Sequence, residues 1–192
     1  MGNLYICADL NLFSSIEAGG KDKVPAYNQM IIKNWNSIVQ PEDTVLLIGN
    51  VTSGLLTETK NVITQLTGTK HLIDYGQFFY SKKFSENEWL KIGINRVAST
   101  GGWMQGTVDG KPSSIVLAMS SKDFNINADY YVAAQHLIKS KKRFDKNVLN
   151  LSIKHWGYSP VEYKSIPYLI DGMLTYERME DGEEIRMNVK KV

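Results

Sequence analysis

The chain has 192 residues, of which 43% are hydrophobic and 22% charged, enough to bury a sizeable core and too apolar for disorder throughout. Its 22 basic and 20 acidic residues leave a formal charge of +2, a balance that offers no general attraction for nucleic acid or a membrane surface. The densest basic run, from Lys139 to Lys146, reads as a solvated loop. Cys7 is the single cysteine, which excludes an intramolecular disulfide; inside the apolar run 4–8 it reads as a small buried hydrophobe. No apolar stretch approaches the roughly 20 residues that span a bilayer, and the N-terminus lacks the regions of a signal peptide, so a cytoplasmic protein is expected.

Short apolar runs alternate with helical patterns, the rhythm of an α/β domain whose strands are buried on both faces. Leu4 to Ala8 is expected as the first strand. Met30, Ile31, Trp35, Ile38 and Val39 recur at helical spacing, and Gln40-Pro41 stops that helix because proline disfavours helical geometry in the residue before it. Thr44 to Ile48 is the second strand. Thr57 caps a helix to about Leu66, closed by Gly68, and His71 to Ile73 is a third strand. Further strands are expected at Leu90 to Ile94, Ile115 to Met119 and Val148 to Ile153, with hairpin turns at Asp109-Gly110 and Asp181-Gly182. Residues 128–140 suit either a helix or a strand. Without repeats or linkers, the chain reads as a single domain over 1–192, with a core at about 4–166 and a terminal β-hairpin at about 168–190.

The stretch from Trp35 to Gly49, with its Asp43-Thr44-Val45-Leu46-Leu47-Ile48-Gly49 ending, resembles the calcineurin-like metallophosphoesterase family, and the Asn34-Trp35-Asn36 element resembles its small bacterial and phage members. The resemblance covers roughly 4–166 and implies a four-layer fold, a β-sandwich flanked by helices, with two divalent metals at the C-terminal strand ends. The family draws its ligands from five short motifs. Its first, Asp-x-His, matches Asp9-Leu10-Asn11, and its second, Gly-Asp, matches Gly49-Asn50, where the metal-bridging aspartate has become an amide. The third, Gly-Asn-His-Asp, falls on Tyr75-Gly76-Gln77-Phe78, so Gln77 stands where the family has the histidine that protonates the leaving group. The fourth motif's histidine corresponds to Met119, a poor ligand for hard or borderline ions. The fifth, Gly-His-x-His, lies on Ala133-Ala134-Gln135-His136 and keeps only its last histidine.

Carried over in this way, one metal site becomes Asp9, Asn11, Asn50 and His136, while the other becomes Asn50, Gly76, Met119 and Ala134. The resemblance therefore implies at most one weakly bound divalent metal, Mn, Mg or Zn, on Asp9, Asn50 and His136, no other cofactor, and no two-metal hydrolysis. Each retained residue also has a structural explanation: Asp9 as a local cap, His136 as a surface or satisfied core histidine, His71 and His155 as packing residues, and Trp35 and Trp156 as core. No phosphate loop, dinucleotide fingerprint or zinc-ligand spacing occurs, and Phe78-Phe79-Tyr80 reads as an apolar plug where a metal loop would lie. The expectation is a catalytically inactive, metallophosphoesterase-like pseudoenzyme, phage-encoded or bacterial, that binds a protein or nucleotide-type partner. The alternatives are a reduced one-metal phosphoesterase and a structural or assembly protein using the terminal hairpin as a homo-oligomer edge.

Overall fold

The computed structural model describes residues 2–74, 84–98, 103–108, 111–118, 127–134, 144–145 and 148–171. Among these residues, two five-stranded sheets carry the fold. In the first, β1 (Leu4–Ala8), β2 (Thr44–Ile48), β3 (Thr69–Ile73) and β4 (Arg96–Ala98) run parallel in that order, and the short β10 (Val161–Glu162) adds antiparallel beside β1. The second is ordered β5-β6-β7-β9-β8. There β6 (Lys111–Ala118), β7 (Tyr130–Ala133) and β9 (Val148–Asn150) are parallel, while β5 (Trp103–Val108) and β8 (Phe144–Asp145) pair antiparallel at the edges. The architecture is thus a mixed α/β one with parallel-rich sheets.

Side-chain alternation sorts each central strand onto two cores. Tyr5 and Cys7 of β1, Val45 and Leu47 of β2, and Leu72 of β3 face a cluster with the helices, in which Ile31, Trp35, Val62, Ile63 and Trp89 are buried. Ile6, Ala8, Ile48 and Ile73 face the other way and meet Ile115, Leu117, Val132 and Leu149 of the second sheet. The helical layer comprises α1 (Ser15–Ala18), α2 (Val24–Asn36), α3 (Leu56–Ile63) and α4 (Glu86–Lys91). Trp35 closes α2 onto the sheet, fully buried, with its indole N–H donating to the Thr67 carbonyl at 2.9 Å. Gly68 is a glycine of necessity: its φ is +85°, and a Cβ there would meet Val39 and the Asp43 carbonyl within 3 Å.

Several expectations need correction. Leu90 to Ile94 is not a strand, because α4 runs from Glu86 to Lys91. Ser85 caps it, its hydroxyl accepting the Glu88 amide while the Glu88 carboxylate accepts the Ser85 amide, and Trp89 then inserts into the helical core. The third helix begins at Leu56 rather than behind a Thr57 cap, since the Glu58 carboxylate takes the Leu55 amide at 2.7 Å and Thr57 lies inside the first turn. That helix also ends at Ile63, short of Leu66. After β9 the chain leaves the strand for a 3-10 turn, Ile153–Trp156, instead of extending to Ile153. The terminal hairpin does not start at 168: residues 166–171 are helical, with Ile166 and Ile170 one turn apart and both buried in the inter-sheet core. The remainder of that hairpin, with Asp181-Gly182, lies outside the described residues.

First, second and third strands fall where expected, with β3 starting two residues earlier; Val108 pairs with Lys111, and the expected turn at Asp109-Gly110 lies outside the described residues. Tyr130–Ala133 resolves part of the ambiguous stretch as strand, and residues 135–140 lie outside the described set. Among the described residues, no helix is long and apolar enough to cross a membrane.

His71, central in β3, has its imidazole held below the ordinary value of about 6.5 by burial and then by the Arg96 charge. With the folded value the lower one, the unfolded chain takes up the proton first, so this contribution to stability is complete above pH 6.5 and is lost as pH falls below it. Replacing His71 with Asn should flatten the fall in urea midpoint between about pH 7.5 and 5.5; an unchanged slope would contradict the assignment.

Candidate functional site

The C-terminal ends of all the parallel strands lie along one edge. A parallel bridge between Ala8 and Ser152 gives the two sheets a common direction: Leu151 N–H donates to the Ala133 carbonyl at 2.9 Å, continuing the pairing of β7 with β9, and Ala8 N–H donates to the Leu151 carbonyl at 2.8 Å, which joins the first sheet to the second. Along the same edge Asp9 N–H reaches the Ile48 carbonyl at 3.0 Å, and Asp74 N–H the Ala98 carbonyl at 2.8 Å. Residues that directly follow these strands are the site candidates.

Asp9, Asn11 and Asn50 are brought together. Asp9 is buried with φ of 54°, a left-handed conformation that Asp and Asn tolerate best among residues with a Cβ. Its carboxylate accepts the Asn50 amide N–H at 3.3 Å, and its carbonyl accepts the Asn11 side-chain amide at 3.1 Å. Asn11, with φ of 48°, sends its own amide N–H to the Asn50 carbonyl at 3.0 Å, and Leu12 N–H follows to Val51 at 2.9 Å. The positions that match the first two motifs thus form a hydrogen-bonded junction between the β1 and β2 ends. Asp9 does more than cap its own loop, because its bond crosses to the neighbouring strand.

Ala134, where the resemblance places a metal-binding histidine, is fully buried in the inter-sheet core. Gly76, Gln77, Met119, His136 and the Phe78-Phe79-Tyr80 plug lie outside the described residues. One carboxylate and two neutral amides make a poor donor set for a divalent ion. Among the described residues, no group of three or more His, Cys, Asp or Glu could hold a metal ion. Asp9, Asn11 and Asn50 alone do not supply the donors of the two-metal centre that the resemblance implies, and the one-ion reading rests on Asp9 together with His136, which lies outside the described residues.

Three contributors escape sequence reasoning. Asp74 directly follows β3 as Asp9 follows β1, and that repeated strand-then-aspartate pattern is a signal for it. Asn150 is buried at the end of β9, where its side-chain oxygen accepts the Ser152 amide at 3.0 Å and its carbonyl the Trp156 indole at 2.7 Å. Tyr27 of α2 is buried with its hydroxyl donating to the Leu10 carbonyl at 3.0 Å, and no local spacing announces that contact. Burial, followed by the charges of Glu17, Tyr158 and Asp9, pushes the Tyr27 phenol well up, so it stays a donor at any ordinary pH. Burial and the Asp9 carboxylate push the Cys7 thiol up in the same way, leaving an inert thiol rather than a nucleophile.

No protein-family model matches the chain, and no curated protein matches it. Its structure is similar to the crystal structure of the protein of unknown function AQ665 from Aquifex aeolicus, with a TM-score of 0.62 at 16% identity over 88% of this chain and 100% of that one. At that identity the likeness speaks to the fold alone.

The junction separates two substitutions of Asp9. Alanine removes the acceptor and sits badly in the left-handed region, at a cost of about 2 kcal/mol, whereas asparagine keeps both properties and should stay within about 0.5 kcal/mol of wild type. Urea denaturation of both variants checks this; equal losses would show that neither the acceptor nor the backbone conformation matters.

Proposed function

We propose that the chain is a metallophosphoesterase-like pseudoenzyme that acts by binding, with its strand-end loops recognising a protein or nucleotide-type partner in place of two-metal hydrolysis. The observation that carries the proposal is the Asp9–Asn50 junction: the carboxylate left over from the expected ligand set is engaged by a main-chain amide of the very residue expected to bridge two ions. Support for the scaffold comes from topology. The segments matched to the first, second, fourth and fifth motifs follow β1, β2, β6 and β7 in chain order, and these strands end on one edge. The second sheet is buried on both faces, Leu117 and Val132 toward the first sheet and Ala118 and Ala133 on the other side. A sheet buried on both faces needs a layer on each, which is the basis for proposing the four-layer arrangement.

Without a bridging carboxylate the site lacks the charge to hold two cations and to generate hydroxide between them. Wild-type protein in millimolar Mn2+ should therefore leave bis(p-nitrophenyl) phosphate unhydrolysed above the buffer rate. Robust turnover that Asp9→Ala abolishes would overturn the proposal in favour of a one-ion enzyme. A second variant tests the scaffold. Asn50→Asp sets a carboxylate against Asp9 and should lower the melting temperature by several degrees without metal, with recovery on adding Mn2+ or Zn2+ through binding to the folded state. Failure of either ion to restore it would contradict the motif positions.

A further inference from the structure

Among the described residues, four non-glycine residues have positive φ: Asp9 at 54°, Asn11 at 48°, Phe13 at 62° and Tyr158 at 61°. Three alternate along the loop that leaves β1, and the fourth, Tyr158, lies in the segment that leaves β9. Such conformations cost on the order of 1 kcal/mol or more each and persist only where the surroundings over-determine them. One side chain touches both segments. The Tyr27 hydroxyl donates to the carbonyl of Leu10, between strained Asp9 and Asn11, while its ring meets the ring of Tyr158 edge-on, with centroids 5.7 Å apart.

The rest of α2 repeats this double attachment. The Asn28 side-chain oxygen accepts the Phe13 amide at 3.1 Å, and Asn34 donates to the Gly157 carbonyl at 2.7 Å while its own carbonyl accepts the Ser159 hydroxyl at 3.2 Å. Two further links bypass the helix: the Ala8–Leu151 main-chain bond, and a partly exposed ion pair of 3.5 Å between Lys154 and Glu17 that contributes little.

We propose that Tyr27 pins the strand-end loop 9–13 and the segment 152–159 into one cooperative unit, so that the two open and close together and a ligand engaging one is felt by the other. This goes beyond the binding function proposed above and does not depend on it. The unit has clear reporters. The amides of Asn11, Leu12 and Phe13 are bonded to Asn50, Val51 and Asn28, and those of Tyr158 and Ser159 to the carbonyls of Ile153 and Trp156.

Native-state hydrogen exchange on the full chain tests the coupling. Tyr27→Phe removes the hydroxyl bond to Leu10 and keeps the ring against Tyr158. Both sets of amides should then exchange faster by a common factor, about fivefold, while Leu47 and Leu72 in the sheet remain as protected as before. Tyr27→Leu should accelerate both sets further and equally. Acceleration confined to Asn11, Leu12 and Phe13 would overturn the proposal, since the segments would then open separately. So would parallel acceleration of Leu47 and Leu72, which marks global opening. Val62→Ala, a core truncation in α3, is the control for lost stability and should leave the ratio of the two sets to each other and their sub-global exchange unchanged; a Tyr27→Phe-like pattern in that variant would overturn the proposal too.

Discussion

The main-chain junction from Ala133 through Leu151 to Ala8 is the constraint on which the rest depends. It fixes the two sheets in one direction at one edge, and it does so with backbone groups that no side-chain substitution can remove. Once the sheets are joined there, Ile6, Ala8 and Ile48 can only pack against Leu117, Val132 and Leu149, and the alternate residues Cys7, Val45 and Leu47 are left to face the helices. The same junction brings the C-terminal ends of β1, β2, β3, β6, β7 and β9 to one edge. Convergence of loops at the carboxyl ends of parallel strands is the usual place for ligands in open α/β sheets.

What occupies that edge is a matter of charge. Asp9 contributes a buried carboxylate, yet its neighbours Asn11 and Asn50 bring dipoles rather than charges, and a main-chain N–H already takes part of the carboxylate's bonding capacity. Ala134 is fully buried in the inter-sheet core, a packing position. Among the described residues, Asn11 and Asn50 hydrogen-bond within the fold and Ala134 packs. The strain nevertheless persists, with Asp9, Asn11 and Phe13 still in left-handed conformations. A loop held in costly geometry by Tyr27 and Asn28 presents a defined surface, which suits recognition as well as it suits chemistry.

The parts legible in the sequence were those governed by local rules. Buried parallel strands read as continuous apolar runs, so Leu4–Ala8 and Thr44–Ile48 stand out at their true boundaries, and Gly49-Asn50 marks the strand end where the site begins. The apolar residues Leu90, Ile92 and Ile94 mislead by the same rule, because a short apolar run does not distinguish a strand from a helix end. The Ser85 and Glu88 capping pair was the deciding signal there. At the site, Asp9, Asn11 and Asn50 were visible because they sit beside strands. Tyr27, Asn28 and Asn34 were not, since what they do depends on partners up to 125 residues away whose proximity is set by tertiary packing.

The central claim is that hydrogen bonds within the chain, and not a pair of cations, hold the strand-end edge together. Elemental analysis of the protein purified from metal-replete cells without chelator bears on it most directly. The account predicts well under one equivalent of Mn, Zn or Fe per chain; two tightly held equivalents that survive gel filtration would contradict it.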